Sequence, residues 1–318
     1  MHTKRLKELV GNSPHKSDEK DPLVIADILK LGRGLNMVMP EGIIADLRHL
    51  VNTRENIIVD IIRIINRLES LICIYFPEFF GFIKNLKSKT SIHILKNYTF
   101  PENIIKVSIK KLTEEIRKVS RGRISAKKVQ YLYESSKDTI GVKEGNQGMN
   151  IEIKMLLNHF DLLEKQRISI EELIKKQVRQ TPYLKLITSI KGIKEISAAC
   201  IITEVADFKA YRGGKEIEKL AGLNLYEVSS GKHKGEKHIS KLGRSLLRKT
   251  LFFITLNIIR KGGIFYEEYQ NHKSKGMPGP KALTAISRKL LRTIHAMIRD
   301  NKYFDEHRVK TVQKQIAA

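Results

Sequence analysis

Two adjacent serines stand beside a glycine in a strongly basic stretch of the sequence. Ser229 and Ser230 precede Gly231, and lysine or arginine recurs through the residues that follow. A serine hydroxyl attacks a phosphodiester only when its proton is removed and the charge developing on the phosphate is stabilised, and clustered cations meet the second requirement. The cations of this stretch are Lys232, Lys234, Lys237, Lys241, Arg244, Arg248 and Lys249.

The residues of this stretch support two interpretations. A Ser-Gly pair in a basic loop is more typical of a turn that contacts phosphate than of a nucleophile. His233 and His238 lie in the same loop and could transfer protons near neutral pH, although the sequence shows no partner that would orient them. The segment by itself therefore indicates phosphate binding at least, and leaves phosphoryl transfer open.

The charge of the whole chain favours a polyanionic partner. The 318 residues contain 59 Lys and Arg against 34 Asp and Glu, which gives a formal net charge of +25. Such a surface attracts nucleic acid or anionic membrane. The longest apolar run, residues 251–259, is far shorter than the roughly 18 to 20 residues that span a bilayer. The charged N-terminal residues also lack the pattern of a secretory signal, so we expect a cytoplasmic protein that binds nucleic acid and no membrane.

The two cysteines, Cys73 and Cys200, are far apart and sit among apolar neighbours. Neither has the Cys or His spacing of a zinc site. Since free cysteine is commonly buried, we expect both to be reduced core residues.

Two long segments carry apolar residues at alternating steps of four and three, the pattern of a coiled-coil seam. Pro77 is expected to end the first helix, and Arg167 interrupts the second seam once. The two stripes would bury each other as an antiparallel pair within one chain or across a dimer. They consist of Ile57, Ile61, Ile64, Leu68 and Leu71 in the first segment, and Leu156, Phe160, Leu163, Ile170 and Ile174 in the second.

After Pro182 the sequence consists of short helical stretches separated by glycines, so we place a domain boundary near Thr181. Residues 184–208 hold Gly192 between two apolar stretches, which is typical of a helix-hairpin-helix that binds a DNA backbone. That motif usually has a second glycine where this chain has Lys194, and any tight helix-helix turn can hold one glycine. We expect no β-strand and a mainly α fold.

The last amphipathic segment, residues 281–300, carries a basic stripe beside its apolar face. Such a stripe is often only a solvated face, but the net charge of this chain favours contact with a nucleic-acid backbone. The cations of the stripe are Lys281, Arg288, Arg292 and Arg299.

Taken together, residues 189–300 resemble the C-terminal domain of IS110-type transposases. The order and spacing of five motifs carry the resemblance, and the segments 47–58 and 76–78 extend it toward the N-terminus. The motifs are the turn at Gly192, Ala221-Gly222-Leu223, Ser230-Gly231, the series Ser240-Lys241, Gly243 and Leu247-Arg248, and the run from Arg288 to Arg292.

The resemblance implies a DNA transposase or recombinase in which Ser230 is the nucleophile, with Ser229 as the alternative register. It implies DNA as the partner, a guide RNA from the element as a possible second partner, and no nucleotide cofactor. With the seams above, it also favours a homodimer or higher oligomer.

The same family has an N-terminal RNase-H-like domain whose acidic residues hold a divalent metal ion. Residues 16–21 match the end of its motif, which implies that Asp18 and Asp21 bind Mg²⁺. The strands that precede this motif in the family are missing here, so we expect a shortened RNase-H-like remnant over 1–40. A helical coiled-coil region over 41–180 and the transposase domain over 181–318 would follow. The alternative function is a catalytically silent remnant that only binds nucleic acid.

Overall fold

A computed structural model describes residues 38–227 and 237–306, together with the isolated positions Pro22, Ala26 and Lys30. The predictions for Asp18 and Asp21, for Ser229 and Ser230, and for Lys232, His233 and Lys234 lie outside the described residues. The described part is mainly α-helical, as predicted, and contains one two-stranded sheet. No helix in these ranges has the length and apolar character needed to cross a membrane.

The helices of the N-terminal half are two long ones and five short ones between them. They are α1 (Gly42–Tyr75), α2 (Phe79–Phe82), α3 (Lys89–Asn97), α4 (Pro101–Ile105), α5 (Ile109–Ser120), α6 (Ala126–Lys137) and α7 (Asn146–Val178).

The C-terminal half consists of shorter elements around a hairpin. They are α8 (Leu184–Thr188), α9 (Glu195–Val205), a 3₁₀ turn (Phe208–Ala210), α10 (Gly214–Leu220), β1 (Leu225–Glu227), β2 (Lys237–Ile239), α11 (Ser245–Ile258), α12 (Tyr266–Ser274) and α13 (Gly279–Arg299).

The two long helices, α1 and α7, pack against each other in opposite directions. Arg54 near the start of α1 bonds Glu171 near the end of α7 at 2.8 Å, and Arg67 further along α1 bonds Glu152 at 2.7 Å. The apolar stripes predicted from the sequence face each other, and most of their members are buried. Because one chain supplies both stripes, burying them requires no second copy.

Arg167, which interrupts the second stripe, lies at the edge of this contact. Its guanidinium bonds Glu164 at 2.7 Å and Glu171 at 2.9 Å, and 27% of the side chain is exposed. The interruption is thus accommodated by ion pairs on the same helix.

Two hydrophobic cores are built along this helix pair. The first joins the C-terminal part of α1 and the N-terminal part of α7 to α2–α6. The second joins the other ends of the pair, at Leu47 and Val51 of α1 and at Ile174 and Val178 of α7, to the elements from α8 to α13. The long helices therefore form a shared support, and the second core extends across Thr181.

Residues 101–120 form two separate helices, α4 and α5. The chain leaves α4 at Ile105, and Ser108 then caps α5 by accepting a bond from the backbone N–H of Lys111 at 3.4 Å. Serine favours this position because its hydroxyl satisfies a free backbone donor at the helix start.

The hairpin β1–β2 corrects the expectation that the chain has no strand. The two strands are antiparallel, with Leu225 opposite Ile239, Tyr226 opposite His238 and Glu227 opposite Lys237. Each strand has three residues and is largely exposed, so it shows no alternation of apolar and polar side chains that a sequence pattern could detect.

Beneath the hairpin, the segments on either side of it are in close backbone contact. Lys241 N–H donates to the carbonyl of Gly222 at 3.0 Å, and Arg244 N–H donates to that of Leu220 at 2.8 Å. Gly243 has φ +150°, and a Cβ added there would lie 2.3 Å from the Leu220 carbonyl oxygen and 2.7 Å from the Gly222 nitrogen. Only glycine permits this approach.

The cysteines differ in exposure, which corrects one of the two predictions. Cys200 is buried in α9, where burial raises the pKa of its thiol to about 11. Cys73 is exposed on α1, because it points away from the face that holds its buried neighbour Ile72.

We predict that a thiol-alkylating reagent modifies Cys73 in the native protein and leaves Cys200 unmodified at pH 8. The thiolate is the reactive species, and a raised pKa together with burial keeps Cys200 protonated and inaccessible. Mass spectrometry of the two cysteine peptides measures this difference, and denaturation should make both react. Equal labelling of the native protein would contradict the packing of α9.

We predict that Gly243→Ala destabilises the protein by about 2 kcal/mol or more, since the added methyl group meets backbone atoms and strains φ. Denaturant unfolding measures the change. The matched control is Gly148→Ala in α7, where an added Cβ meets nothing within 4 Å and the stability should change by no more than about 1 kcal/mol. Equal effects of the two substitutions would contradict the close approach at Gly243.

Candidate nucleic-acid interface

The two strands of the hairpin flank, in the sequence, the segment that contains the two serines. Its last described pair is Glu227 and Lys237, whose carboxylate and ammonium groups lie 3.9 Å apart. Residues 228–236 connect these two positions in the chain, so Ser229 and Ser230 lie in the sequence between the two strands of the hairpin. His238, which follows Lys237 on β2, is exposed, and its ring centroid lies 6.2 Å from that of Tyr226.

Polar contacts continue the hairpin into the helices below it. Ser240 pairs with Asn224 twice, through its backbone N–H to the Asn224 carbonyl at 3.0 Å and through its hydroxyl to the side-chain oxygen at 2.6 Å. Arg248 on α11 donates to the carbonyl of Ala221 at 2.8 Å. The motifs at 221–223 and 240–248 are therefore two halves of one support.

The predicted DNA-binding cations of this support differ in what they do. Arg248 is half-buried and holds the turn at Ala221, so its guanidinium has a structural task. Lys241 is exposed, in a left-handed conformation with φ +54°. Arg244 precedes α11 and is half-buried.

A buried carboxylate ties the helix before the hairpin to the long last helix. Glu218 on α10 has a side chain only 3% exposed, and Arg288 on α13 bonds its Oε2 through Nε at 3.0 Å and Nη2 at 2.8 Å. Arg292 Nε lies 3.0 Å from Oε1 as an ion pair. An unpaired carboxylate at this depth would be costly, so the two arginines stabilise the position of α10.

Two cations of the basic stripe predicted on α13, Arg288 and Arg292, are thus paired with Glu218. Arg288 is 24% exposed and Arg292 is 51% exposed, so Arg292 also faces solvent. Of the other two stripe residues, Lys281 is exposed and Arg299 pairs with Asp300 at 2.7 Å. Two arginines against one carboxylate leave the cluster with excess positive charge.

The glycine turn predicted at 192 joins α8 to α9 and packs on α11. Gly192 has φ +108°, and a Cβ added there would lie 2.9 Å from Cγ2 of Ile258. Lys194 precedes α9 in an extended conformation and, like Lys191, is exposed. The turn therefore carries two exposed lysines next to the N-terminus of a helix, an arrangement that favours an anion.

The described residues contain no group of three or more His, Cys, Asp or Glu side chains placed to hold a metal ion. The predicted ligands Asp18 and Asp21 lie outside these residues.

Two residues of this region were not found from the sequence. Glu218 and Asn224 anchor the support, yet each looks like an ordinary polar residue in a short element. Their position beside Ala221-Gly222-Leu223 could have indicated this role, because residues that flank a tight glycine turn often fix its geometry.

Comparison with known proteins identifies the family. A model of the transposase IS116/IS110/IS902 family matches residues 184–270, which include the glycine turn, the hairpin and α11. A second model, of IS110-type DEDD transposases, matches residues 1–77. The two matched segments together make up just over half of the chain.

Similar proteins come from insertion elements of Streptomyces and Mycobacterium species. A 43.6 kDa protein of insertion element IS110 from Streptomyces coelicolor is 22% identical over 293 residues, covering 91% of this chain and 72% of its own length. A 44.8 kDa protein of IS116 from Streptomyces clavuligerus is 24% identical with the same coverage. A 42 kDa protein of IS900 from Mycobacterium paratuberculosis is 22% identical over 295 residues, which are 91% of this chain and 73% of that protein. The chain therefore belongs to the IS110 family of insertion-sequence transposases.

Proposed function

We propose that this protein cuts and rejoins DNA at the ends of an insertion sequence, with Ser230 as the nucleophile. The observation that supports the proposal is the hairpin, whose base is fixed by Gly222, Gly243 and Arg248 and whose two strands flank Ser230 in the sequence. A nucleophile in this segment would be joined on both sides to a rigid support, which would help to place it against a bound duplex.

In the proposed reaction, the Ser230 hydroxyl oxygen attacks a DNA phosphorus atom. The serine hydroxyl gives up its proton as a bond forms between its oxygen and phosphorus, one phosphorus–oxygen bond of the DNA strand breaks, and the departing oxygen takes up a proton. A DNA hydroxyl later reverses the step and releases the serine. The covalent intermediate conserves the bond energy, so rejoining needs no nucleotide cofactor.

Cations around the hairpin would stabilise the charge that develops on the phosphate. Lys232 and Lys234 share the loop with the serine, and Lys241 follows β2 at an exposed position. Arg244 and Arg292 would add to the field from α11 and α13. Such groups act strongly when they are held in place before the reaction, and the support beneath the hairpin fixes the backbone at Lys241 and Arg244.

We further propose that Asp18 and Asp21 bind Mg²⁺. When bound, the ion would neutralise charge on the reacting phosphate and help to orient it. A guide RNA as a second partner and assembly into a dimer or higher oligomer belong to the same proposal.

We predict that the wild-type protein, incubated with insertion-element end DNA and Mg²⁺, forms a covalent protein–DNA adduct that survives denaturing electrophoresis. Ser230→Ala should abolish the adduct because it removes the attacking oxygen. Ser229→Ala keeps Ser230 and serves as the matched control, so it should still form the adduct.

An adduct that forms equally well with Ser230→Ala would contradict the assignment. If no variant forms an adduct while DNA binding persists with steep salt dependence, the protein is the silent nucleic-acid-binding alternative.

We predict that Lys194→Gln weakens binding to a DNA duplex and lowers the slope of log K against log salt by about 0.9, the value for one lost phosphate contact. The matched control is Lys165→Gln, which removes a charge from another exposed position, on α7. Fluorescence anisotropy over a salt series measures both. Identical slopes for the two variants would show that the glycine turn does not contact the backbone.

A further inference from the structure

The turn between α5 and α6 concentrates positive charge at a place remote from the hairpin. Six exposed cations occur within residues 117–128, and no acidic residue interrupts them. We call this segment the basic turn. Its cations are Arg117, Lys118, Arg121, Arg123, Lys127 and Lys128.

The backbone of the basic turn is held by a regular helix-ending motif. Gly122 N–H donates to the Arg117 carbonyl at 2.9 Å and Arg121 N–H to the Lys118 carbonyl at 3.3 Å, with Arg121 and Gly122 both in the left-handed region. This is the Schellman pattern. Ile116 before the turn and Val129 after it are fully buried in the first core, so the charges sit on a fixed support.

These charges have no neutralising partner within the described part of the chain. None of the six side chains forms an ion pair with a described carboxylate, and Lys128 instead donates to the Phe82 carbonyl at 3.4 Å. Glu115, the last acidic residue before the turn in the sequence, is held by His93 and Tyr98. The fold therefore keeps six like charges together without compensation.

The helix dipoles do not account for the whole cluster. Arg117 and Lys118 lie in the last turn of α5, where cations are favourable, but Lys127 and Lys128 lie in the first turn of α6, where they are unfavourable. The Ser125 hydroxyl that precedes α6 makes no capping bond, so it satisfies none of the free backbone donors at this helix start. A bound anion would offset the unfavourable position of Lys127 and Lys128 and could accept hydrogen bonds from the free backbone donors.

The extent and position of the cluster identify the kind of anion. Six cations spread over two helix ends exceed what a single phosphate can contact and suit a row of phosphates. The turn lies near Phe82, beyond the C-terminal end of α1, whereas the hairpin core packs on Leu47 and Val51. Val51 and Tyr75 are separated by about 35 Å along the helix axis at 1.5 Å per residue.

We propose that the basic turn is a second nucleic-acid-binding surface, which contacts the sugar–phosphate backbone separately from the C-terminal interface. The ligand is defined by its phosphodiester chemistry, which DNA and RNA share. This surface goes beyond the proposed recombination chemistry and requires no activity of Ser230.

The test compares binding by charge-neutralised variants of full-length protein carrying Ser230→Ala, without Mg²⁺, so that failure of the serine chemistry cannot affect it. The turn variant combines Arg117→Gln, Arg123→Gln and Lys127→Gln. The matched control removes the same charge from exposed positions of α7 through Lys154→Gln, Lys165→Gln and Lys176→Gln. A short DNA duplex and an RNA hairpin serve as probes in parallel.

We expect the turn variant to bind at least one of the probes about tenfold more weakly than the control near 0.1 M salt, with a shallower salt slope. The probe for which the affinity of the turn variant falls further identifies the nucleic acid that binds this surface. A charge-preserving variant, Arg117→Lys with Arg123→Lys and Lys127→Arg, should restore binding and shows that charge, rather than folding, is responsible.

Equal affinities of the turn variant and the control for both probes would overturn the proposal. Loss of binding only to vesicles that contain phosphatidylserine, with both nucleic acids unaffected, would also overturn it and would assign the surface to a membrane.

Discussion

The close approach of two backbone segments at Gly222 and Gly243 is the constraint on which the C-terminal half depends. At this contact the chain leaving α10 meets the chain entering α11, and the hairpin between them rises from the junction. Arg248 then fixes the junction from α11 by bonding Ala221. The family motifs on either side of the serines consequently form one structural support, and the close contact at Gly222 and Gly243 leaves no room for a side chain.

The buried pair of Glu218 with Arg288 and Arg292 extends this support to the last helix. Ile217 of α10 and Leu290 of α13 belong to the same apolar core, and the ion pair adds a directed contact that apolar packing does not supply. The first role of these two arginines of α13 is therefore structural. Their excess positive charge, with Arg292 half-exposed, is what remains available to a bound phosphate.

The sequence predicted the features that local patterns encode and missed those that depend on distant contacts. The stripes of α1 and α7 were predictable because their apolar spacing continues over many turns, and their burial followed. Cys73 was placed wrongly since an apolar neighbourhood along a helix does not determine which face a residue occupies. The partnership of Arg288 with Glu218 spans 70 residues, and no local pattern reveals it. The hairpin was missed because its short strands have little to bury.

The central claim is that the loop on this support supplies the nucleophile, and identifying the residue that carries DNA tests it most directly. The protein would be trapped on insertion-element end DNA, digested with protease and nuclease, and the nucleotide-linked peptide sequenced by mass spectrometry. The account predicts a single linked peptide from the loop between β1 and β2, with the phosphate on Ser230. A nucleotide attached to a residue outside residues 228–236 would contradict it.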